Sequence, residues 1–272
     1  MPAIRPLNPH EPSVFDRPWR LAAVVAVVLN VAFSAFNDRI GTHLDVAEMS
    51  RAYPTLFTPA GYAFAIWGVI YAASLMYALA SLRPSQLSAL IHDRQARWLV
   101  LTNGLAALWV GLFTREQLAL SVLVIVMMLG ACIVMFLRAH DEQQQTILQG
   151  AWRIPFGLWL GWISVATIAN VSVLLVSLGW NGALSPAFWT VLMLLVAGVL
   201  AVLVSGRFRD ATFPLVITWA TLAIAVARAP SERVLAAIAG VVALVSFVAA
   251  WRNALSKRTH PRTPGALRDL KG

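Results

Sequence analysis

The sequence has few charged residues for its length. Only 12% of its 272 residues are Asp, Glu, Lys or Arg, whereas 59% are hydrophobic, and the mean hydropathy is +0.73. A typical soluble domain has about 25% charged and about 45–50% apolar residues. A larger core does not explain the difference, because a soluble protein would still need polar residues over its surface. The composition therefore excludes an ordinary soluble domain and indicates an integral membrane protein.

Residues with common catalytic or metal chemistry are scarce as well. The single cysteine, Cys132, lies inside an apolar run, so the chain can form neither an intrachain disulfide nor a cysteine metal site. No ionisable residue lies at the centre of an apolar run, and all five histidines are predicted in loops or tails. The sequence has no glycine-rich phosphate loop and no G-x-S-x-G motif. These absences argue against a proton-coupled pump, a buried haem ligand and the usual enzyme classes.

Long apolar runs make up most of the remaining sequence. A helix needs about 20 apolar residues to cross about 30 Å of hydrocarbon, and these runs are too continuous for the alternating strands of a membrane barrel. We therefore predict an all-α integral membrane protein with about eight transmembrane helices. The predicted spans are residues 19–37, 59–82, 98–113, 118–137, 152–178, 187–205, 211–227 and 234–251.

The distribution of basic residues predicts the topology. With the N-terminus in the cytoplasm, the positive-inside rule is obeyed, since only five of the 21 Lys and Arg residues lie outside. These five are Arg39, Arg51, Arg115, Arg228 and Arg233. Both termini are thus predicted in the cytoplasm, and a bacterial inner membrane is the expected location. The first run also carries a weak signal-peptide pattern, AFSAF, but its length and the topology favour a span.

The net charge of +9 fits this topology and contact with anionic lipid headgroups. A nucleic-acid surface is the competing interpretation. It is not favoured, because the basic residues are scattered over separate loops. The lipid bilayer is therefore an expected partner, and nucleic acid is not.

The interiors of the predicted spans lack charged residues but contain several Trp and Asn residues. Trp normally concentrates at membrane interfaces, and a buried Asn needs a hydrogen-bond partner. In the fifth span, Trp159, Ala166 and Asn170 fall near one line of the helix, and Trp162 lies beside it. Helix packing explains any single one of these residues; convergence on one pocket is the functional interpretation. The residues well inside their spans are Trp67, Trp109, Trp159, Trp162, Trp219, Asn30, Asn103 and Asn170.

The segment before the second span has the features of a binding loop. About 20 residues separate the first two spans, which is long for a compact bundle, and Tyr53 and Phe57 are expected to fold over the bundle. Thr58 followed by Pro59 predicts a capped helix start, as does Ser185–Pro186 before the sixth span. Beyond this start, Phe64, Trp67 and Tyr71 share one helix face.

Three motifs resemble the TspO/MBR family, the tryptophan-rich sensory proteins related to the mitochondrial translocator protein. FTPAGYAFAIWGVIY is similar to the W-T-P-P-G-W…W…Y stretch at the start of that family's second helix. NGLAALWVGLFTREQLAL resembles its third helix and the following turn, and RIPFGLWLGWISVATIAN resembles its fifth helix. Tyr62 and Ala60 replace the second Trp and second Pro of the family pattern, and no Tyr follows the fifth helix, which argues against sterol binding.

The resemblance implies a five-helix bundle with a cavity that opens towards the loop after the first helix. Family ligands are tetrapyrroles such as protoporphyrin IX and, in some members, sterols; no covalent cofactor is implied. Arg39 or Arg51 would meet ligand carboxylates at the rim. The predicted ligand-binding residues are Tyr53, Phe57, Pro59, Gly61, Tyr62, Trp67, Tyr71, Trp109, Trp159, Trp162, Ala166 and Asn170.

The chain is thus predicted to contain a cytoplasmic tail (1–18), the TspO-like domain (19–180), three additional transmembrane helices (181–252) and a basic cytoplasmic tail (253–272). The first functional hypothesis is a receptor or sensor for a hydrophobic ligand, a porphyrin, in a Trp-lined cavity. The alternatives are a transporter or permease that uses all eight helices and a structural partner in a membrane complex. Porphyrin breakdown, proposed within the family, would rest on Trp chemistry, so an enzyme is not favoured. A homodimer is left open.

Overall fold

The computed structural model describes residues 13–37, 45–141, 150–180, 182 and 184–256. Within these residues the fold is helical, without strands, which confirms the all-α prediction. The α-helices are α1 (Pro18–Phe36), α2 (Val46–Ala52), α3 (Ile66–Ser81), α4 (Ile91–Phe113), α5 (Leu118–Ala139), α6 (Ile154–Ser177), α7 (Pro186–Phe208), α8 (Thr212–Arg228) and α9 (Arg233–Ser256). Short 3₁₀ helices at Gly61–Ala65 and Gly150–Arg153 lead into α3 and α6.

The lengths and surfaces of these helices fit a membrane. Among the described residues, seven helices are long and apolar enough to cross a bilayer, and α8 is an apolar helix of 17 residues. Large aliphatic side chains such as Leu203 on α7 and Leu244 on α9 are exposed, as expected for helices that contact lipid. The chain is therefore an integral membrane protein, with α8 as the short member of the eight predicted spans.

Consecutive spans cross a bilayer in opposite directions, so the ends of the eight predicted spans form two layers. The layer called here the loop end contains α2, residues 53–60, the ends of α4, α6 and α8, and the starts of α5, α7 and α9. The opposite layer contains the starts of α1, α4, α6 and α8 and the ends of α3, α5, α7 and α9. The membrane side that each end faces stays a prediction.

The last three helices pack directly on the first five. Helix α8 contacts α6, α7 and α9, and α7 contacts α9. A Cβ atom on Gly157 would lie 2.7 Å from Thr212 Cβ, and one on Gly161 would lie 2.7 Å from Val216 Cβ, so α6 and α8 approach too closely for side chains at these glycines. The G-L-W-L-G stretch is a small-xxx-small contact of the kind that holds membrane helices together.

A buried arginine ties α1 to the turn between α3 and α4. The Arg20 side chain is fully buried and donates to the Asp93 carboxylate through Nε and Nη2, both at 3.0 Å. It also donates to the backbone carbonyls of Ser81, Gln86 and Ala89 at 2.7–2.9 Å. Every side of the guanidinium group therefore meets an acceptor, which offsets part of the cost of burying a charge.

Helix α4 begins earlier than the sequence predicted. It starts at Ile91, not at residue 98, because its first two turns are polar and do not stand out as an apolar run. His92 lies in this region, fully buried, with the Tyr77 hydroxyl 2.9 Å from Nδ1. The prediction that all histidines lie in loops or tails is therefore wrong for His92. His140 follows α5 and is also buried, and its Nε2 atom lies 3.3 Å from Oδ2 of Asp210, which precedes α8.

Candidate functional site

Five aromatic residues from three helices meet in the core. Trp67 on α3 is central: its ring centroid lies 5.6 Å from Tyr71, 6.1 Å from Trp109, 5.8 Å from Trp159 and 6.3 Å from Trp162. These five residues are called the Trp67 cluster. All five were predicted ligand-binding residues, and the structure brings them together.

Polar side chains fix the rings of this cluster. Trp109 Nε1 donates to Asn170 Oδ1 at 2.7 Å, and Asn170 Nδ2 donates in turn to Ser121 Oγ at 3.0 Å. Trp159 Nε1 donates to Ser74 Oγ at 2.9 Å. Each of these bonds joins two different helices, so α3, α4, α5 and α6 are held at the level of the rings.

The other buried asparagines serve a second contact. Asn30 Nδ2 on α1 donates to Asn103 Oδ1 on α4 at 3.0 Å, and Asn103 Nδ2 donates to the Leu99 carbonyl at 2.9 Å. Asn103 and Trp109 therefore face different neighbours. The Asn30–Asn103 pair fastens α1 to α4 and lies beside the cluster, because Ser34, which contacts Asn30, also contacts the Tyr71 hydroxyl at 3.1 Å.

A small cavity lies between the Trp67 cluster and the segment above it. Its volume is about 30 Å³, roughly the space of one water molecule. Trp109, Trp162, Ala166 and Asn170 line it from the core. Val46, Ser50, Thr58 and Pro59 line it from the loop end, so residues 46–59 (the 46–59 segment) cover it. Trp162 Nε1 is buried and has no hydrogen-bond partner in the described part of the chain.

The remaining predicted residues lie around this covering segment. Phe57 is buried, and the Tyr53 hydroxyl donates to a Glu116 carboxylate oxygen at 3.1 Å, which raises the pKa of Tyr53. Tyr62 lies away from the cavity, 45% exposed, with its ring 5.3 Å from Trp219 on α8. Gly61 is exposed near the guanidinium group of Arg51. Arg39, the second proposed carboxylate partner, lies outside the described residues.

The predicted capped start at Thr58–Pro59 is wrong. Thr58 Oγ1 pairs with Thr55 Oγ1 at 2.9 Å, and the helical turn begins at Gly61 without a side-chain cap. The same device is confirmed before α7, where Ser185 Oγ accepts the Phe188 N–H at 3.2 Å and Pro186 holds the first helical position. The difference follows from the local contacts: the Ala60 N–H donates to the Ala223 carbonyl of α8 at 3.1 Å, which directs the chain before α3.

A second and much larger cavity lies between α6 and α7, and no sequence pattern predicted it. Its volume is about 760 Å³, and residues 54–57 close one side of it. Phe57 is the one predicted ligand-binding residue among those that line it. Trp180, Trp189 and Arg228 line it near the loop end, but they come from three separate parts of the chain, and no sequence motif indicated that they would lie close together.

None of the described residues form a cluster of three or more His, Cys, Asp or Glu side chains able to hold a metal ion. The site is therefore built from aromatic rings, amides and hydroxyls. Such a site can stack on flat apolar ligands and donate single hydrogen bonds to them.

Comparison with known protein families connects this arrangement to relatives. A family model described as "TSPO-like protein" matches residues 20–252. Comparisons with curated proteins and with solved structures gave no match. The family match starts in α1 and runs through α9, so it includes the three helices after residue 180 as well as the motifs that resembled the family. The chain belongs to the TSPO-like protein family, which supports a binding or sensing role in the membrane.

Proposed function

We propose that this protein is a membrane receptor or sensor that binds a flat hydrophobic ligand, a tetrapyrrole, at the Trp67 cluster. The observation that carries the proposal is the cavity bounded by Trp109, Trp162 and Ala166 directly beneath the 46–59 segment. Aromatic faces and edges supply affinity for a planar apolar ligand without any charged residue. The unpartnered Trp162 Nε1 is a donor that a ligand atom would satisfy.

Binding requires the 46–59 segment to move. The cavity of about 30 Å³ is far below the roughly 300–1,000 Å³ of small-molecule sites. The contacts that hold the segment include an exposed hydrogen bond from Tyr53 to Glu116 and the burial of Phe57. Because this hydrogen bond is exposed, water can replace it when the segment moves, so the segment is the part of the site best suited to open. Arg51, which is exposed within this segment, is a cation that would meet ligand carboxylates at the rim.

The test is a titration of the detergent-purified protein with protoporphyrin IX, followed by the porphyrin absorption band. We expect saturable binding that the double variant Trp67→Leu, Trp162→Leu weakens by about tenfold or more, since each aromatic contact contributes about 0.5–1.5 kcal/mol beyond its buried area. Trp251→Leu is the matched control, because Trp251 is exposed on α9 and far from the cluster in the chain. Circular dichroism and thermal unfolding establish that each variant is folded.

Non-saturable binding, or equal binding by the double variant and the Trp251→Leu control, would reject the site.

A transporter or permease is the second candidate function, and one observation favours it. Helix α8 is joined to the start of α3 by the Ala60–Ala223 bond and by Trp219 Nε1, which donates to the Ala63 carbonyl at 3.0 Å. A ligand that moves α3 would thus act on the last three helices too. Flux of the porphyrin across proteoliposomes separates transport from binding alone.

A further inference from the structure

The larger cavity, called here the α6–α7 groove, is a separate feature from the Trp67 cluster. Its long wall is the stretch of α6 from Thr167 to Val176, and its opposite wall is the first two turns of α7 down to Met193. The nine residue steps from Thr167 to Val176 rise about 13.5 Å, so the groove reaches from the loop end into the interior of the bilayer. No residue lines both this groove and the cavity beneath the 46–59 segment.

The walls of the groove present an apolar surface, because most of their side chains are apolar and their hydroxyl groups donate to backbone carbonyls. Ile168, Val171 and Leu175 supply aliphatic surface. The hydroxyl groups in the walls are already occupied: Thr167 donates to the Ile163 carbonyl at 2.7 Å, and Ser172 donates to the Ile168 carbonyl at 2.8 Å. Thr190 on α7 likewise donates to the Pro186 carbonyl at 2.9 Å. The walls therefore favour a hydrocarbon chain.

The mouth of the groove has hydrogen-bond donors without acceptors. Arg228, the last residue of α8, lines the groove, and its Nε atom is buried without a hydrogen-bond partner. Within the described residues its guanidinium group has no ion pair, in contrast to Arg20, whose guanidinium group meets Asp93 and four backbone carbonyls. Trp189 Nε1 is a second buried donor without a partner. Two unpaired donors, one of them cationic, favour a ligand whose polar end is an anionic acceptor.

The shape of the groove favours a narrow ligand over a planar macrocycle. The rings of Trp180 and Trp189 pack on each other at a centroid distance of 6.0 Å and an angle of 50°, so they do not form a slot with parallel faces. Below them the surface is aliphatic on both sides. The geometry points to a binding site for a long-chain carboxylate, with its alkyl chain between α6 and α7 and its carboxylate on Arg228, where Trp189 Nε1 is a second donor.

This site gives the additional helices a role, because two of its three helical elements, α7 and α8, lie outside the predicted five-helix domain. It also places a second ligand next to the first. Residues 54–57 close the groove, and the adjacent Thr58 and Pro59 cover the Trp67 cluster, so one connected segment contacts both sites.

The test uses the full chain in phosphatidylcholine nanodiscs and a long-chain carboxylate that bears a diazirine group, followed by peptide mapping of the crosslinks. We expect saturable crosslinks on residues 167–176 and 186–193, with laurate as an effective competitor and lauryl alcohol a weak one. Arg228→Gln should weaken laurate competition by about 10–100-fold, since a hydrogen bond to a charged group contributes about 1.5–3 kcal/mol. Arg233→Gln removes a charge at the same end but not from the groove, and should leave competition unchanged.

A second variant tests whether the space between the groove walls is needed, while Arg228 and its charge stay in place. Val171→Trp should abolish the groove crosslinks while leaving protoporphyrin IX binding intact, whereas the Trp67→Leu, Trp162→Leu variant should keep the groove crosslinks. Crosslinks spread evenly over lipid-facing helices, equal competition by acid and alcohol, or an Arg228→Gln variant that binds like Arg233→Gln would each overturn the proposal. So would a bound phospholipid that laurate does not displace.

Discussion

Replacing Arg20 with Met is expected to lower the free energy of unfolding by about 3–5 kcal/mol, the usual cost of removing one partner of a buried ion pair. Met keeps the unbranched length of the side chain but removes all its donors. The Asp93 carboxylate, only 15% exposed, then keeps Arg17 as its one cationic contact at 3.2 Å. The Ser81 carbonyl loses its side-chain donor, and the Gln86 and Ala89 carbonyls keep only the backbone N–H groups that they already accept.

The chain offers a matched control one turn away. Arg17 contacts the same carboxylate through a single bond, and its side chain is 18% exposed. We expect Arg17→Met to cost about 1 kcal/mol or less, because partly solvated ion pairs contribute little. Unfolding in mixed detergent micelles with increasing dodecyl sulfate, followed by far-UV circular dichroism, measures both values. Equal costs for the two variants would show that the hydrogen-bond network of Arg20 contributes no more to the free energy of unfolding than the single Arg17 contact does.

The sequence predicted the helices well where apolar runs define them and poorly where polar contacts do. The runs that became α1, α5, α7 and α9 are continuous, so hydropathy located them. The start of α4 was missed because its first turns contain His92, Asp93 and Gln95. These residues are stabilised by partners far away in the chain, such as the Met135 carbonyl that accepts from Gln95 Nε2 at 3.1 Å, and hydropathy does not detect such partners.

The sequence predicted which residues form the candidate site but not how their side chains pack. Helical spacing placed Trp159, Ala166 and Asn170 on one face, and the family motif added Trp67 and Trp109. Spacing could not show that some rings would stack and others pack edge against face so as to nearly fill the space, since that depends on side-chain volumes contributed by three helices. Nor could it show the α6–α7 groove, because a cavity forms where helices diverge, and divergence is set by contacts elsewhere.

The close contact between α6 and α8 is the second place where a single substitution should have a large effect on stability. We expect Gly161→Ala to destabilise the protein by about 1–3 kcal/mol, the typical cost of overpacking, and Gly161→Leu to cost more. An added Cβ would lie 2.7 Å from Val216 Cβ and 3.3 Å from the Phe213 carbonyl oxygen. The second of these atoms belongs to the backbone, so α8 itself would have to move.

The same substitution elsewhere should have the opposite sign, which makes the experiment decisive. Gly104 lies within α4, and a Cβ atom there would meet no atom within 4 Å. Gly104→Ala should therefore be neutral or stabilising by up to about 1 kcal/mol, the difference in helix propensity between glycine and alanine. If Gly161→Ala and Gly104→Ala unfold at the same detergent concentration, the close approach of α6 and α8 is not a source of stability.

Movement of α8 would also reach the ligand sites. Trp219 and Ala223 on α8 bond to the carbonyl of Ala63 and the amide of Ala60, next to the 46–59 segment, and Arg228 ends the same helix at the groove. We therefore expect Gly161→Leu to weaken laurate and protoporphyrin IX together, whereas Arg228→Gln affects laurate alone. A Gly161→Leu variant that is destabilised yet binds both ligands normally would show that α8 stabilises the bundle without positioning either site.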